Sequence, residues 1–344
     1  MKKLLCTVAA SLVAGLVVVA PSTPAEARGS MNIRVGTFNV LTVSMDTTDG
    51  NRRPWRDRRG TIIRQVLDER LDVLGAQEIN QGKYFRARLV DGITQMTDLR
   101  NGLNKAGGTY ALTNTAGFNC VDPSTNYKCT YRYRAASGDN RILYNTSKLR
   151  LVRQGTYKYR NQGSTFTSYL PWATFRTRAT GYEFTFASTH LTTTSDSLRR
   201  AQWSELIKKM TYLRDHYARP VMVVGDFNAQ KFSKIAEIYL PAMRRAGFGD
   251  VTGQQAYESR ITRPRAQRRI NGFINSWNRM DRNVKNYSYY DDRTRMGNTI
   301  DYIFASNALA VPEYKLCLNY GSDLQVNGVM PSDHNMLRAT ITLG

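Results

Sequence analysis

The sequence predicts a layered α/β fold. Three observations predict it. Short apolar runs rich in β-branched residues read as strands buried on both faces, helical periodicity fills the segments between them, and polar residues stand where the runs stop. Residues 221–224 (Val-Met-Val-Val) are the clearest such run. Gly225 ends it and Asp226 and Asn228 follow, so a carboxylate and an amide leave the core together. Strands of layered sheets deliver polar groups to a crevice beyond their carboxyl ends. Asp and Asn also favour turns after strands, so the pair alone fits a turn as well as a site.

The elements before that run follow the same logic. Residues 32–40 (Asn-Ile-Arg-Val-Gly-Thr-Phe-Asn-Val) alternate like a strand and end near Asn39. A basic segment around Trp55 leads into a helix in which Ile62, Ile63, Val66 and Leu67 share one face. Residues 71–77 form another buried-type strand, which ends at Glu78. A β-α-β unit makes its two strands parallel, so Asn39 and Glu78 are expected on one sheet edge. Glu78 also reads as an ordinary acid after a strand. Residues 83–106 look helical, and 107–139 form a loop region rich in Gly, Asn and Ser. Residues 141–144 and 149–152 read as a hairpin around Asn145-Thr146-Ser147, and 171–179 with 182–190 as a second one through Thr180-Gly181. The last of these strands delivers His190. A helix from Ser197 to about His216 precedes the central run, and another spans 231–247.

Beyond it, residues 252–298 are basic, with Tyr257, Phe273, Trp277 and Tyr287 among the interleaved aromatics. Cations that pair with phosphates beside rings that stack on bases suit nucleic acid, and a solvated surface insertion is the competing reading. Residues 299–304 form a strand containing Asp301, a carboxylate among apolar neighbours that needs a partner. Asp333 and His334 precede a last strand at 336–343.

Composition narrows the function. The chain has 344 residues, a length that suggests two domains, and 41% apolar residues suffice for a large core. A formal charge of +22 favours a polyanionic partner, nucleic acid or an anionic membrane surface, over solubility alone. Lys2, Lys3, an apolar stretch over 4–20, two prolines and Ala25-Glu26-Ala27 have the pattern of an export leader, residues 1–27. A membrane anchor is the rival reading, because the stretch is only slightly short of a span. The prolines and the small-x-small site favour cleavage after Ala27 and a secreted chain, 28–344, with no stable membrane insertion afterwards. Losing Lys2, Lys3 and Glu26 lowers the net charge by one, so the basic character stays with that chain. In an oxidising compartment Cys120 and Cys129 are expected to bridge, and Cys317 to be a buried free thiol. With no Cys-x-x-Cys or His-x-x-x-His pair, zinc is disfavoured.

Five strand ends thus carry Asn39, Glu78, His190, the Asp226/Asn228 pair and Asp333-His334, and two of the chain's three histidines stand among them. Six stretches resemble, in order, the endonuclease/exonuclease/phosphatase superfamily with its DNase I-like fold: Thr-Phe-Asn-Val (37–40), Ala-Gln-Glu-Ile (76–79), Ser-Thr-His-Leu (188–191), Gly-Asp-Phe-Asn-Ala (225–229), Ile-Asp-Tyr-Ile (300–303) and Ser-Asp-His-Asn (332–335). Trp55, Arg58 and the Arg199-x-x-Gln202 helix start look similar too. The resemblance spans 32–344 and overrules the two-domain expectation, because one site drawing on Asn39 and His334 requires one domain. It implies an α+β fold, the DNase I-like four-layer α/β/β/α sandwich, and metal-dependent cleavage of phosphate esters; the chain is expected to be a monomer.

By that resemblance, Glu78 is the principal ligand of Mg²⁺ (or Mn²⁺ or Ca²⁺), with Asn39 and Asp333 beside it. Asp301 orients His334, and Asp226 or the His334–Asp301 pair activates water. His190 protonates the leaving oxygen and Asn228 binds the scissile phosphate; Arg141 and Arg200 are further candidates for substrate. Where the family has a Glu supporting its first histidine, this chain reads Gly138-Asp139-Asn140-Arg141, and either Asp139 or Asn140 could take that part. The substrate expected is nucleic acid, DNA first and RNA second. A secreted sphingomyelinase or phospholipase C is the alternative, but it needs an exposed apolar hairpin that no stretch outside the core-like strands supplies. A silent binding protein of this fold is a third reading, one with no need of the full set of acids and histidines.

Overall fold

The computed structural model describes residues 29–46, 52–79, 90, 93–113, 138–253, 265–288 and 296–344. The expected leader and the Cys120–Cys129 pair lie outside the described residues. In chain order the elements are β1 (Met31–Asn39), α1 (Trp55–Asp68), β2 (Val73–Gln77), α2 (Gln95–Lys105), β3 (Tyr110–Leu112), β4 (Arg141–Asn145) and β5 (Leu149–Lys158). They continue with β6 (Tyr169–Thr177), β7 (Glu183–His190), α3 (Asp196–Tyr217), β8 (Val221–Asp226), α4 (Lys234–Arg245) and β9 (Phe248–Asp250). The last are β10 (Arg268–Ile270), β11 (Asp301–Ser306), β12 (Ala310–Cys317) and β13 (Met336–Leu343).

Two mixed sheets face each other, ordered β10-β12-β13-β1-β2-β4-β3 and β5-β6-β7-β8-β11-β9. Ile33, Val35 and Val73 from the first sheet meet Phe175, Phe186 and Val224 from the second in a continuous buried core. On the outer face of the second sheet, Trp203 and Leu206 of α3 and Leu240 of α4 cover Val221, Val223 and Phe304. On the outer face of the first, Ile62 and Val66 of α1 with Leu99 of α2 cover Phe38 and Leu74. The result is the four-layer α/β/β/α sandwich. Near its middle the sheets approach so closely that a Cβ on Gly75 would stand 2.4 Å from the Val224 side chain. Gln77 bridges the layers there, donating to Ser188 Oγ at 3.0 Å.

Local signals account for the helix starts. Ser195 and Ser233 accept from the backbone N–H three residues on, capping α3 and α4. α1 begins after Pro54, and its Trp55 N–H finds the distant Asp46 carboxylate instead, at 2.9 Å. None of the described helices is long and apolar enough to cross a membrane.

Several expectations are corrected. Residues 141–152 are not a hairpin: β4 pairs with β2 and β3, whereas β5 pairs with β6 in the other sheet. The turn at Asn145 carries the chain across the sandwich, so that β4 lies on β2 in one sheet and β5 on β6 in the other. Of the helix expected over 83–106, the described part is helical only from Gln95. Asp301 opens its strand instead of lying inside it. The described part of 252–298 is no detached surface insertion, since β10 extends the first sheet and Ile274, Val284 and Tyr287 enter the core. Its Arg265 is tied up internally, donating to the carbonyls of Gly249, Ala305, Ser306 and Leu309.

Candidate active site

Strand register brings the polar ends together. β7 and β8 run parallel with His190 opposite Asp226, and β8 and β11 antiparallel with Asp226 opposite Asp301. In the facing sheet β1 and β2 are parallel with Asn39 opposite Gln77, and Glu78 is the next residue. The loop before β13 adds Asp333 and His334. Asn39 stitches the two sheets, its amide N–H donating to Glu78 Oε1 (3.0 Å) and to Asp226 Oδ2 (3.1 Å).

Two imidazole–carboxylate pairs flank Asp226. His190 Nδ1 lies 2.7 Å from Asp139 Oδ2, and His334 Nδ1 lies 2.8 Å from Asp301 Oδ2. Each ring turns Nε2 toward Asp226 Oδ2, at 3.7 Å in both cases. All of these except the buried Asp301 and Asn39 line one cleft of about 710 Å³, which also exposes Asn228, Glu78 and Asp333. Leu41, Glu78 and Asn228 hold left-handed backbone angles (φ 57°, 52° and 49°) that side-chain-bearing residues rarely adopt. Strain of this kind concentrates at functional sites.

The model of the endonuclease/exonuclease/phosphatase family matches residues 30–334. The chain belongs to this family. No curated protein sequence matches it. Among solved structures, an endonuclease/exonuclease/phosphatase family protein of Bacteroides thetaiotaomicron superposes with a TM-score of 0.62 at 18% identity, covering 92% of this chain and 99% of that one. The mannosyl-6-phosphatase of the same species gives 0.60 at 19%, covering 90% and 99%. D. rerio TDP2 with a single-stranded DNA product gives 0.54 at 13%, covering 90% and 98%. At these identities the likeness is one of fold. Family members are typically hydrolases of phosphoester bonds, and divalent metals generally serve them.

Electrostatics follow from the packing. Burial alone would lower the pKa of both imidazoles. At His190 the carboxylates of Asp139, Asp226 and Glu78 override it and raise the value to about 9. At His334 those of Asp301, Asp226 and Asp333 raise it to about 10. The protein's own charges therefore favour imidazolium at both places at neutral pH. Burial pushes the Glu78 carboxyl above its ordinary value; His190 opposes this and the like charge of Asp333 adds to it.

The donors suit a hard divalent cation. Glu78 and Asp333 bring two mutually repelling carboxylates to the same cleft, and oxygen donors of this kind select Mg²⁺, Mn²⁺ or Ca²⁺ over zinc. Asp226, Asp301 and His334 also offer atoms within 4.8 Å of one another. His334 and Asp301 of that group are already hydrogen-bonded to each other, and Glu78 and Asp333 are the further acidic pair in the cleft. Asn39, expected as a ligand, instead presents its nitrogen to the carboxylates while its oxygen accepts from the Leu41 N–H at 3.1 Å.

Other expectations fare unequally. Asp139, not Asn140, backs His190; Asn140 donates to the Tyr169 carbonyl at 3.1 Å. Asn228 lines the cleft with one amide proton given to the Leu191 carbonyl. Arg141 and Arg200 do not line it. Arg141 is buried, its guanidinium against Met96 Sδ and the Thr113 carbonyl, because β4 lies inside the first sheet where a side chain faces α2. Phe166 escaped the sequence reading altogether, and Trp277, read there only as one of the aromatics interleaved in the basic stretch 252–298, stands at the cleft. Phe166 packs on the His190 ring at 4.4 Å between centroids, and Trp277 bridges its backbone to His334. An aromatic within a polar Thr-Phe-Thr loop was the only trace of the first.

Proposed function

We propose that this protein is a metal-dependent phosphodiesterase that hydrolyses nucleic acid, DNA in preference to RNA. One observation carries the reading: a carboxylate, Asp226, stands between two imidazole–carboxylate pairs beside two further acids in a single cleft. A divalent ion held by Glu78 and Asp333 would offset the charge that builds on the nonbridging oxygens. Asp226 takes the proton of the attacking water. Its Oδ1 is fixed by the Asn228 N–H at 2.8 Å and its Oδ2 by Asn39, so neither oxygen has to reorient. His190, held by Asp139, gives the Nε2 proton to the leaving oxygen. His334, held by Asp301, faces the reacting phosphate as a fixed cation. The charge of +22 and the aromatic walls at Phe166 and Trp277 support nucleic acid as the substrate.

Supercoiled plasmid, RNA, sphingomyelin vesicles and a sugar phosphate, each with Mg²⁺ and with chelator, test it. Plasmid nicking that disappears in chelator and in Glu78→Gln is the expected outcome. Hydrolysis of the vesicles or the sugar phosphate without nicking would overturn the substrate, and inactivity on all four would overturn the enzyme. Export rests on the leader pattern, and N-terminal sequencing of the extracellular protein should begin at Arg28.

A further inference from the structure

A second, smaller cavity of about 260 Å³ opens beside the cleft and shares Gln230, Trp277 and Ile300 with it. Its donors outnumber its acceptors. Asn275 Oδ1 accepts from the Asn298 N–H, and Asn298 Oδ1 from the Phe232 N–H. Both amide nitrogens therefore stand without a protein partner among the described residues. The one carboxylate in the lining, Asp281, has both oxygens engaged, by the Asn283 N–H and by the Asn286 amide. Tyr287 forms part of the wall, and its buried hydroxyl has no hydrogen-bond partner among the described residues. Arg279 completes the lining. It is exposed and forms no ion pair among the described residues, and its guanidinium lies 4.3 Å above the Trp277 ring.

The loop appears in its present form only because the neighbouring machinery holds it. Arg279 and Met280 both take left-handed angles, φ 56° and 62°. Buried Asn278 enforces them, accepting from the Met280 N–H (2.8 Å) and donating to the Ser332 carbonyl and Asn335 Oδ1. The backbone N–H groups of Asn278 and Arg279 both donate to the Asp333 carbonyl. The segment that carries Asp333 and His334 thus fixes where Arg279 stands. A guanidinium held over an indole face by its carbon keeps N–H groups for a planar, two-pronged grip on an anion.

We propose that this cavity is a second phosphate subsite, which takes a phosphate adjacent to the one cleaved, with Arg279 as its principal ligand and Asn275 and Asn298 as further donors. The proposal rests on the phosphodiesterase reading, because it treats the cavity as an extension of that cleft. Calorimetric titration at fixed salt with TpT, pTpT and TpTp, in chelator so that nothing turns over, tests it. One of the two phosphorylated dinucleotides should bind roughly tenfold tighter than TpT, or more. Arg279→Ala should abolish that preference and Arg279→Lys should restore only part of it, while Lys285→Ala, an exposed lysine nearby, should keep it whole. Equal binding of all three dinucleotides, or a preference that survives Arg279→Ala, would overturn the subsite. If wild type shows the preference but hydrolyses no phosphodiester with Mg²⁺, the subsite stands and the catalytic reading fails.

Discussion

His190 shows how neighbours decide a residue's chemistry. Burial alone would lower its pKa, and Asp139 at 2.7 Å, helped by Asp226 and Glu78, reverses that and lifts the value to about 9. Asp139→Asn should therefore shift the alkaline limb of the kcat profile to lower pH and cut kcat by about 10- to 100-fold, read from pH–rate curves. Stability follows the same sign. A pKa raised in the folded state contributes stability that is complete below the unfolded value of about 6.5 and disappears as pH rises through about 9. Wild type should exceed Asp139→Asn in urea melts near pH 6, and the gap should close above pH 9. Cys317 is the opposite case: burial pushes its thiol up, and Glu69 adds to this. Alkylation mapped by mass spectrometry should miss Cys317 in the folded chain and find it in urea.

At the scale of elements, the site depends on ties between segments that contribute no reacting group. Arg58, on α1, is fully buried and donates to the carbonyls of Val40 (2.8 Å), Leu41 (3.2 Å) and Pro331 (2.7 Å). It thereby fastens the loop after β1 to the loop before β13, the two that flank Asn39 and Asp333. Removing it takes a donor from Asp46 and from the carbonyls of Arg53, Val40, Leu41 and Pro331, so Arg58→Ala should cost about 3–5 kcal/mol in urea unfolding. Gly225 does the same for β7 and β8. At φ 153° a Cβ there would stand 2.0 Å from the Thr189 carbonyl oxygen. Gly225→Ala should separate His190 from Asp226 and abolish activity, visible as a lost near-UV signal or a lowered Tm. Secondary structure was legible at this scale because it is local: alternation marked β1, the Thr180-Gly181 turn marked β7, and an apolar stripe marked α1. Strand partnership was not, as the misread pairing of residues 141–152 shows. Asn145 announces a reversal, but which edge receives β5 depends on β6, whose sequence is read only later.

Over the whole molecule, charge sets association and topology sets the site. Under the proposed nucleic-acid reading, a chain of +22 should lose affinity for its phosphates steeply between about 50 and 200 mM salt, roughly linearly in log–log form. Fluorescence anisotropy of a labelled oligonucleotide, bound in chelator, measures this; a flat response would remove phosphate contacts from the account. By itself, the sequence determined which residues end strands, because a buried run must stop on a polar group when it reaches water. That was enough to mark Asn39, Glu78, His190, Asp226 and His334. Only the tertiary structure decided which of them touch, that Asp139 rather than Asn140 serves His190, that Arg141 is sealed against α2, and that Trp277 stands at the cleft. Distances between residues hundreds of positions apart are fixed by sheet register and by the packing of one layer on another, and no local pattern encodes either.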